Sequence, residues 1–365
     1  MTIKVGFDAR YIRTDHHDGI SRFSSRVGSE LHRLVSSRND IEVTFLINTQ
    51  DQARLLPPGA SVELISSPTS SREPWVSRSV NALGFDVVFS PMQTMGSRGR
   101  KYRLILTVHD LIYYRHPMPP RQFNLFLRLG WRLYHTSWWP QRWLLNGADA
   151  IVAVSHTTAN LISQHKLTKR PVYVVPNAAD PVLVTANQSQ RSKSLVYMGS
   201  FMPYKNVETL IQAVRELPDY TLHLLSRIDP RDKGRLESMS EGASVVFHEG
   251  VSDAEYVDLL QSAQALVTAS LDEGFGIPVI EAMSVGTPVV CSDITIFREI
   301  GGDAAIFVPA QDSKAFAQEI RSLEDPGEFL KRQKLGIERA THYSWEKSAR
   351  ELLDVLVQVS TEGTG

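Results

Sequence analysis

Two carboxylates, Glu273 and Glu281, bracket the turn Glu273-Gly-Phe-Gly-Ile-Pro-Val-Ile-Glu281. An apolar run, Ala265–Ala269, comes just before it and predicts a buried strand. Pro278 predicts a helix start, because its fixed φ suits a first helical turn. Gly274 and Gly276 permit backbone shapes and a close approach that a side chain would block. The pattern therefore predicts backbone amides at a helix N-terminus, where an anion such as phosphate is favoured. It also places them at the C-terminal end of a strand, where open α/β sheets bind ligands. A carboxylate beside phosphate is repelled unless it has another task, and carboxylates accept hydrogen bonds well from paired hydroxyls. A phosphate site flanked by two polyol readers describes a nucleotide-sugar. The alternative is a helix cap with Glu favoured by the dipole. It accounts for Glu281 alone but not for the whole cluster.

The elements that must hold this turn are legible as short β-branched runs between helical patterns. The runs are Ile3–Phe7, Ile41–Ile47, Ser61–Ile65, Asp86–Phe89, Leu104–Val108, Ala150–Val154 and Val172–Val175. They continue with Leu195–Met198, Thr221–Leu225, Val245–Phe247, Ala265–Ala269, Pro288–Val290 and Ala305–Val308. Most are continuous and not alternating, as expected of strands buried on both faces of a parallel sheet. Helical segments such as Ser21–Val35, Val207–Arg215, Ala254–Ala263 and Pro278–Val285 lie between them. The expected fold class is α/β, with two Rossmann-like doubly wound domains. Residues 1–180 form the first and 181–344 the second. The polar stretch Asn177–Lys193, with Pro181, is the expected hinge.

Length and charge agree. The chain has 365 residues, enough for about two domains. With 39 basic and 40 acidic side chains and a net charge of −1, it has no global positive field to hold a polyphosphate backbone, which argues against nucleic acid as partner. An apolar share of 42% and a charged share of 22% exclude disorder as a description of the whole chain. The lone Cys291 fits a reducing compartment, the N-terminus lacks a signal-peptide pattern, and no run is long enough to span a membrane. The expectation is a cytoplasmic protein, with peripheral membrane contact left open.

One segment departs from the average. No acidic residue stands between Asp110 and Asp149, a span that carries Arg115, Arg121, Arg128, Arg132 and Arg142 with Trp131, Trp138, Trp139 and Trp143. Phe123, Phe126, Leu127, Trp131 and Tyr134 recur at helical spacing, while Arg121, Arg128 and Arg132 share another face. The expected reading is an amphipathic helix packed on its own domain with a solvated Arg face. The competing reading is a basic, aromatic face that touches an anionic membrane or a lipid-linked acceptor.

The turn Glu273-Gly-Phe-Gly-Ile-Pro-Val-Ile-Glu281-Ala-Met resembles the E-x7-E signature of glycosyltransferase family 4, whose members have the GT-B architecture and retain anomeric configuration. Ser284-Val-Gly286-Thr287-Pro288, Gly302-Asp303-Ala304-Ala305, Tyr197-Met-Gly199-Ser-Phe-Met-Pro203-Tyr-Lys205-Asn206, Val108-His109-Asp110-Leu111, Val175-Pro176-Asn177 and Ser344-Trp345 carry the resemblance over essentially the whole chain. It implies a two-domain cleft that opens and closes, with helix 345–365 crossing back onto the first domain. It also implies roles. Glu281 would hold ribose hydroxyls, Glu273 would sit beside the transferred sugar, and the amides of Phe275, Gly276 and Ile277 would reach sugar hydroxyls and phosphate. Lys205 would pair with the diphosphate, and Gly250 and Val251 would line the base pocket. Gly19 would let the backbone approach the diphosphate. His109 would lie near sugar and acceptor, oriented by Asp110, with Tyr113 also on the acceptor side. Ser200 departs from the pattern, since many members carry Arg there, and Tyr204 stands where Arg often precedes the lysine. Either the anion site is less positive than usual, or an arginine such as Arg22 or Arg227 compensates.

The implied reaction is a front-face substitution in which Lys205 and the helix N-terminus stabilise the departing diphosphate. The resemblance is to bacterial mannosyltransferase-type members; it leans toward GDP-mannose over UDP-sugars as donor and implies a glycan or lipid-linked hydroxyl as acceptor. No cofactor is expected. No metal is expected either, since there is no Asp-x-Asp motif and His16-His17-Asp18 reads as a polar loop. A nicotinamide dehydrogenase fits poorly because Val279 stands where a third glycine belongs. A GT-B nucleotide-sugar 2-epimerase and a noncatalytic binding protein are the remaining alternatives.

Overall fold

The computed structural model describes residues 2–14, 18–119, 124–180 and 192–361. The chain forms two compact units, Met1–Asn177 with Trp345–Gly365, and Ala178–Ser344. His16, His17, Arg121, Phe123, Pro181 and most of the polar run before Lys193 lie outside the described residues.

In the first unit the strands are β1 (Ile3–Asp8), β2 (Ile41–Ile47), β3 (Ser61–Leu64), β4 (Val87–Ser90), β5 (Arg103–Val108), β6 (Ala150–Ala153) and β7 (Val172–Val174). They join in the order β3-β2-β1-β4-β5-β6-β7, every pairing parallel. Apart from the edge strand β3, whose residues are exposed, their apolar runs suit burial within a parallel sheet. Phe7, Phe45 and Phe89, each fully buried, meet across β2, β1 and β4 with ring centroids 5.3 Å apart. Helix Gly19–Val35 packs on helix Trp345–Thr361. Phe23 meets Trp345 edge-on, and Ser348 Oγ donates to the Pro176 carbonyl at 2.6 Å.

The second unit has β8 (Ser194–Tyr197), β9 (Thr221–Leu224), β10 (Ser244–Phe247), β11 (Ala265–Thr268), β12 (Val289–Ser292) and β13 (Ile306–Val308). Their order is β10-β9-β8-β11-β12-β13, again all parallel. In both sheets the chain works outward in one direction and then reverses. The reversal falls between β1 and β4 in the first unit and between β8 and β11 in the second. Loops leaving neighbouring strands diverge at such a point, and the crevice they leave is where open α/β sheets hold ligands.

Candidate active site

Of the expected donor residues of the second unit, Lys205, Glu273 and the glycine-led turn before Glu281 lie at its switch point. Lys205 ends a short 3-10 turn (Pro203–Lys205) after β8, and Glu273 lies in the turn after β11. Lys205 Nζ meets Glu273 Oε1 at 2.6 Å, with both side chains largely buried. Ser270 Oγ donates to the same carboxylate oxygen at 2.8 Å. The Leu271 amide donates to the Tyr204 carbonyl at 2.7 Å, so backbone also ties the two loops. An ammonium has three N–H donors, and one contact to Glu273 does not exhaust them.

Asn206 is the main residue of this site that the sequence reading missed. It holds a left-handed conformation (φ 52°, ψ 41°) at the start of helix Val207–Arg215. Its Nδ2 donates to the carbonyls of Ala269 at 3.1 Å and Ala310 at 2.7 Å, and its Oδ1 accepts from Thr209 Oγ1. One amide thus ties together the chain ends leaving β8, β11 and β13. The signal for it was the Lys205-Asn206 dipeptide, since asparagine tolerates left-handed backbone better than most side chains do.

Helix Ile277–Ser284 begins at Gly276, and no side chain caps it. Gly276 has φ +94°, and a Cβ there would stand 2.7 Å from Phe297 Cε1, inside van der Waals contact. Only glycine allows the turn to lie this close to Phe297 while presenting its amides at the helix start. Glu281, one turn into the helix and 7% exposed, accepts from the Tyr256 hydroxyl at 2.9 Å. Phe275 is buried edge-on against Tyr343. Gly250 has φ +111° in the loop after β10, next to Val251. The Arg227 side chain lies along Gly250, its Cγ 3.3 Å from where a Cβ would be. Ser200 is exposed, and its carbonyl accepts from the Tyr197 hydroxyl at 2.6 Å.

The remaining expected residues lie in the first unit. Gly19 is the first residue of its helix, which Asp18 caps by accepting from the Ser21 amide at 2.8 Å. Arg22 follows on the same helix. His109 follows β5 directly, and its Nε2 donates to the Pro91 carbonyl at 2.7 Å. A carbonyl can only accept, so Nε2 carries the ring proton and Nδ1 is the acceptor. Pro91 therefore fills the orienting role expected of Asp110, whose Oδ1 accepts from the Ile112 amide at 3.0 Å. Burial pushes the His109 pKa down to about 4, against a smaller opposing pull from the Pro91 carbonyl and Asp18. Tyr113 stacks edge-on with Trp131.

At the switch point of the first unit lies a buried charge cluster that no motif in the chain marks. Arg10 Nε and Nη2 donate to Asp8 at 2.7 and 2.9 Å, and Nη1 and Nη2 donate to Glu73 at 2.7 and 2.9 Å. Ser90 Oγ, at the end of β4, adds a bond to Asp8 at 2.9 Å. Among the described residues no three His, Cys, Asp or Glu side chains form a group that could hold a metal ion.

Comparison with known proteins agrees with this arrangement. The family described as Glycosyl transferases group 1 matches residues 185–340, and the one described as Glycosyltransferase Family 4 matches residues 18–183. The chain is 27% identical to an MMP alpha-(1->4)-mannosyltransferase of Mycolicibacterium hassiacum over 272 residues, 70% of this chain and 65% of that one. It is 27% identical to O-antigen chain mannosyltransferase B of Escherichia coli over 271 residues, 70% of each. The aligned part thus spans about two thirds of these relatives' length. Among solved structures, sucrose-phosphate synthase from Thermosynechococcus elongatus superposes with a TM-score of 0.73 at 20% identity, covering 98% of each chain. Anabaena HepE in complex with UDP and glucose superposes with a TM-score of 0.69 at 16% identity, covering 97% of this chain and 99% of that one. With two doubly wound parallel sheets and family matches that between them cover most of its length, the chain belongs to glycosyltransferase family 4 and has the GT-B fold.

Proposed function

We propose that this protein is a retaining mannosyltransferase that moves mannose from GDP-mannose to a hydroxyl of a glycan or lipid-linked acceptor on the cytoplasmic side. The observation that carries the proposal is the pairing of Lys205 with Glu273 beside an uncapped, glycine-led helix start at the switch point of the second unit. Such a place suits a diphosphate, and the adjoining carboxylate suits sugar hydroxyls. Mannose is supported by the names of several relatives, an MMP alpha-(1->4)-mannosyltransferase and two O-antigen chain mannosyltransferases.

In the proposed reaction the bond from mannose C1 to the diphosphate oxygen breaks, and a bond from C1 to the acceptor oxygen forms on the same face. The acceptor's proton passes to the departing diphosphate. Lys205 and the amides of Phe275, Gly276 and Ile277 stabilise the charge that develops on the leaving group. Glu281, steadied by Tyr256, takes ribose hydroxyls. Glu273 takes sugar hydroxyls, and Gly250 and Val251 receive the base. Arg227, exposed beside Gly250, is the second diphosphate cation that Ser200 does not supply. His109 accepts through Nδ1, and Asp110 and Tyr113 serve the acceptor. Transfer needs no metal, so excess EDTA leaves it intact.

Thermal unfolding with a panel of GDP- and UDP-sugars tests the reading. A donor present at about 100 times its Kd adds about 2.7 kcal/mol to the folded state. GDP-mannose and GDP are expected to raise Tm by several degrees, with UDP-sugars near zero. The reverse order would make the enzyme UDP-dependent, and no shift with any nucleotide would overturn donor binding altogether.

A further inference from the structure

Helix Leu125–His135 in the first unit buries none of its residues. Its seam with the rest of the unit is aromatic. Trp131 sits edge-on to Tyr113 with centroids 5.1 Å apart, and His135 lies 4.9 Å from the Tyr114 ring. At about 100° per residue, Trp131 and His135 mark the inward side. Leu125, Leu129, Leu133 and Phe126 then share an arc of about 100° on the opposite side. They are 81%, 59%, 63% and 88% exposed. Helix Trp139–Asn146 adds Trp139 and Trp143, one turn apart and each 67% exposed. Of the apolar residues expected to pack inward, Trp131 does so, while Phe126 and Leu127 are exposed. Leucines face water, while the ring stack holds the helix down. Large apolar side chains left exposed together on one arc mark an interaction surface.

The charge around this face decides what covers it. Arg128 and Arg132 border the leucine stripe one turn apart, and no acidic residue stands between Asp110 and Asp149. A second copy meeting this face across a two-fold axis would bring arginine to arginine with no acid from the same segment to neutralise them. Anionic headgroups supply the missing charge, and tryptophan favours the membrane–water boundary. The helix is about 16 Å long, too short to cross a bilayer, and no described helix is long and apolar enough to do so. It fits instead in the interfacial plane. We propose that the exposed face of Leu125–His135, with Trp139 and Trp143, docks the protein on an anionic lipid bilayer. This inference does not depend on the identity of the donor.

Co-sedimentation of the full chain with vesicles tests it. The wild type should sediment with phosphatidylcholine vesicles containing about a third phosphatidylglycerol, and at least tenfold less with phosphatidylcholine alone or in 0.5 M salt. Arg128→Gln/Arg132→Gln should weaken partitioning about 30-fold, at about tenfold or less per charge. Leu129→Ser/Leu133→Ser should abolish it, with circular dichroism and melting unchanged because both leucines are exposed. Failure of the wild type to bind anionic vesicles, or undiminished binding by the leucine variant, would overturn the proposal. So would a wild-type dimer in light scattering that the leucine variant turns into a monomer, since that assigns the face to a second copy.

Discussion

Lys205 Nζ and Glu273 Oε1 stand 2.6 Å apart although 68 residues separate them in the chain. They meet because β8 and β11 are adjacent in the sheet and the Leu271 amide ties the loop after β11 to the Tyr204 carbonyl in the loop after β8. The ion pair holds an ammonium in place at the mouth of the switch-point crevice, so in the proposed reaction its orientation is set before the donor diphosphate arrives. Such preorganisation is what makes a fixed charge effective against a leaving group.

Replacing either partner separates these roles. Lys205→Ala should lower kcat by about 100- to 1000-fold, the cost of losing one preorganised stabiliser. Glu273→Gln should also weaken donor binding. Because the two side chains touch, their effects on stability should be non-additive. A double-mutant cycle with Lys205→Met and Glu273→Gln should show a coupling of about 1–3 kcal/mol. Near-normal turnover in Lys205→Ala would remove the leaving-group role.

Gly276→Ala sets a positive φ and a 2.7 Å approach to buried Phe297 against a single methyl. The expected loss is about 1–3 kcal/mol of stability, together with the donor-induced melting shift. Gly234, inside helix Pro230–Met239, has open space around its would-be Cβ. Gly234→Ala should therefore stabilise by about 0.5–1 kcal/mol and leave the donor response intact. Melting curves of the two variants with and without GDP-mannose check both signs.

Arg10→Met leaves Asp8 and Glu73 buried without the cation between them. Removing one member of such a cluster costs about 3–5 kcal/mol. Burial already raises the Glu73 carboxyl above its ordinary range despite Arg10. In the variant a folded-state proton there is favoured further, so the deficit relative to wild type should shrink as pH falls from 8 toward 5. Denaturant midpoints of both proteins across that range measure it, and a deficit that grows in acid would contradict this account.

His109 should be neutral throughout the neutral range. Its folded pKa lies below its unfolded value near 6.5, so its contribution to stability is fully present above about 6.5. That contribution is lost as pH falls toward about 4, where the folded ring titrates. The loss is about 3 kcal/mol. Proton NMR should give this ring a midpoint near 4, and His109→Gln should flatten the stability slope between pH 6.5 and 4. A midpoint near 6.5 would mean that the ring is not desolvated.

Much of this protein is legible locally. Thirteen β-branched runs became thirteen strands within a residue or two of their expected limits, because buried parallel strands need continuous apolar sequence. The glycine-led turn and Pro278 marked the helix start in the same way. What could not be read depends on distant partners. Arg10 finds Glu73 63 positions away, and Asn206 reaches the Ala310 carbonyl 104 positions on. Helix 125–135 shows a second limit. Periodicity displays its faces, but only the ring stack of Tyr113, Tyr114, Trp131 and His135 decides which of them turns inward.

The most direct test of the central claim uses water as the acceptor. GDP-mannose incubated with the wild type and EDTA should release GDP and mannose slowly, at rates that Lys205→Ala abolishes. The first mannose observed by proton NMR, before mutarotation, should be the α anomer, since the donor is α-linked and the account requires same-face replacement. Release of β-mannose, or GDP release no faster than with Lys205→Ala, would contradict it.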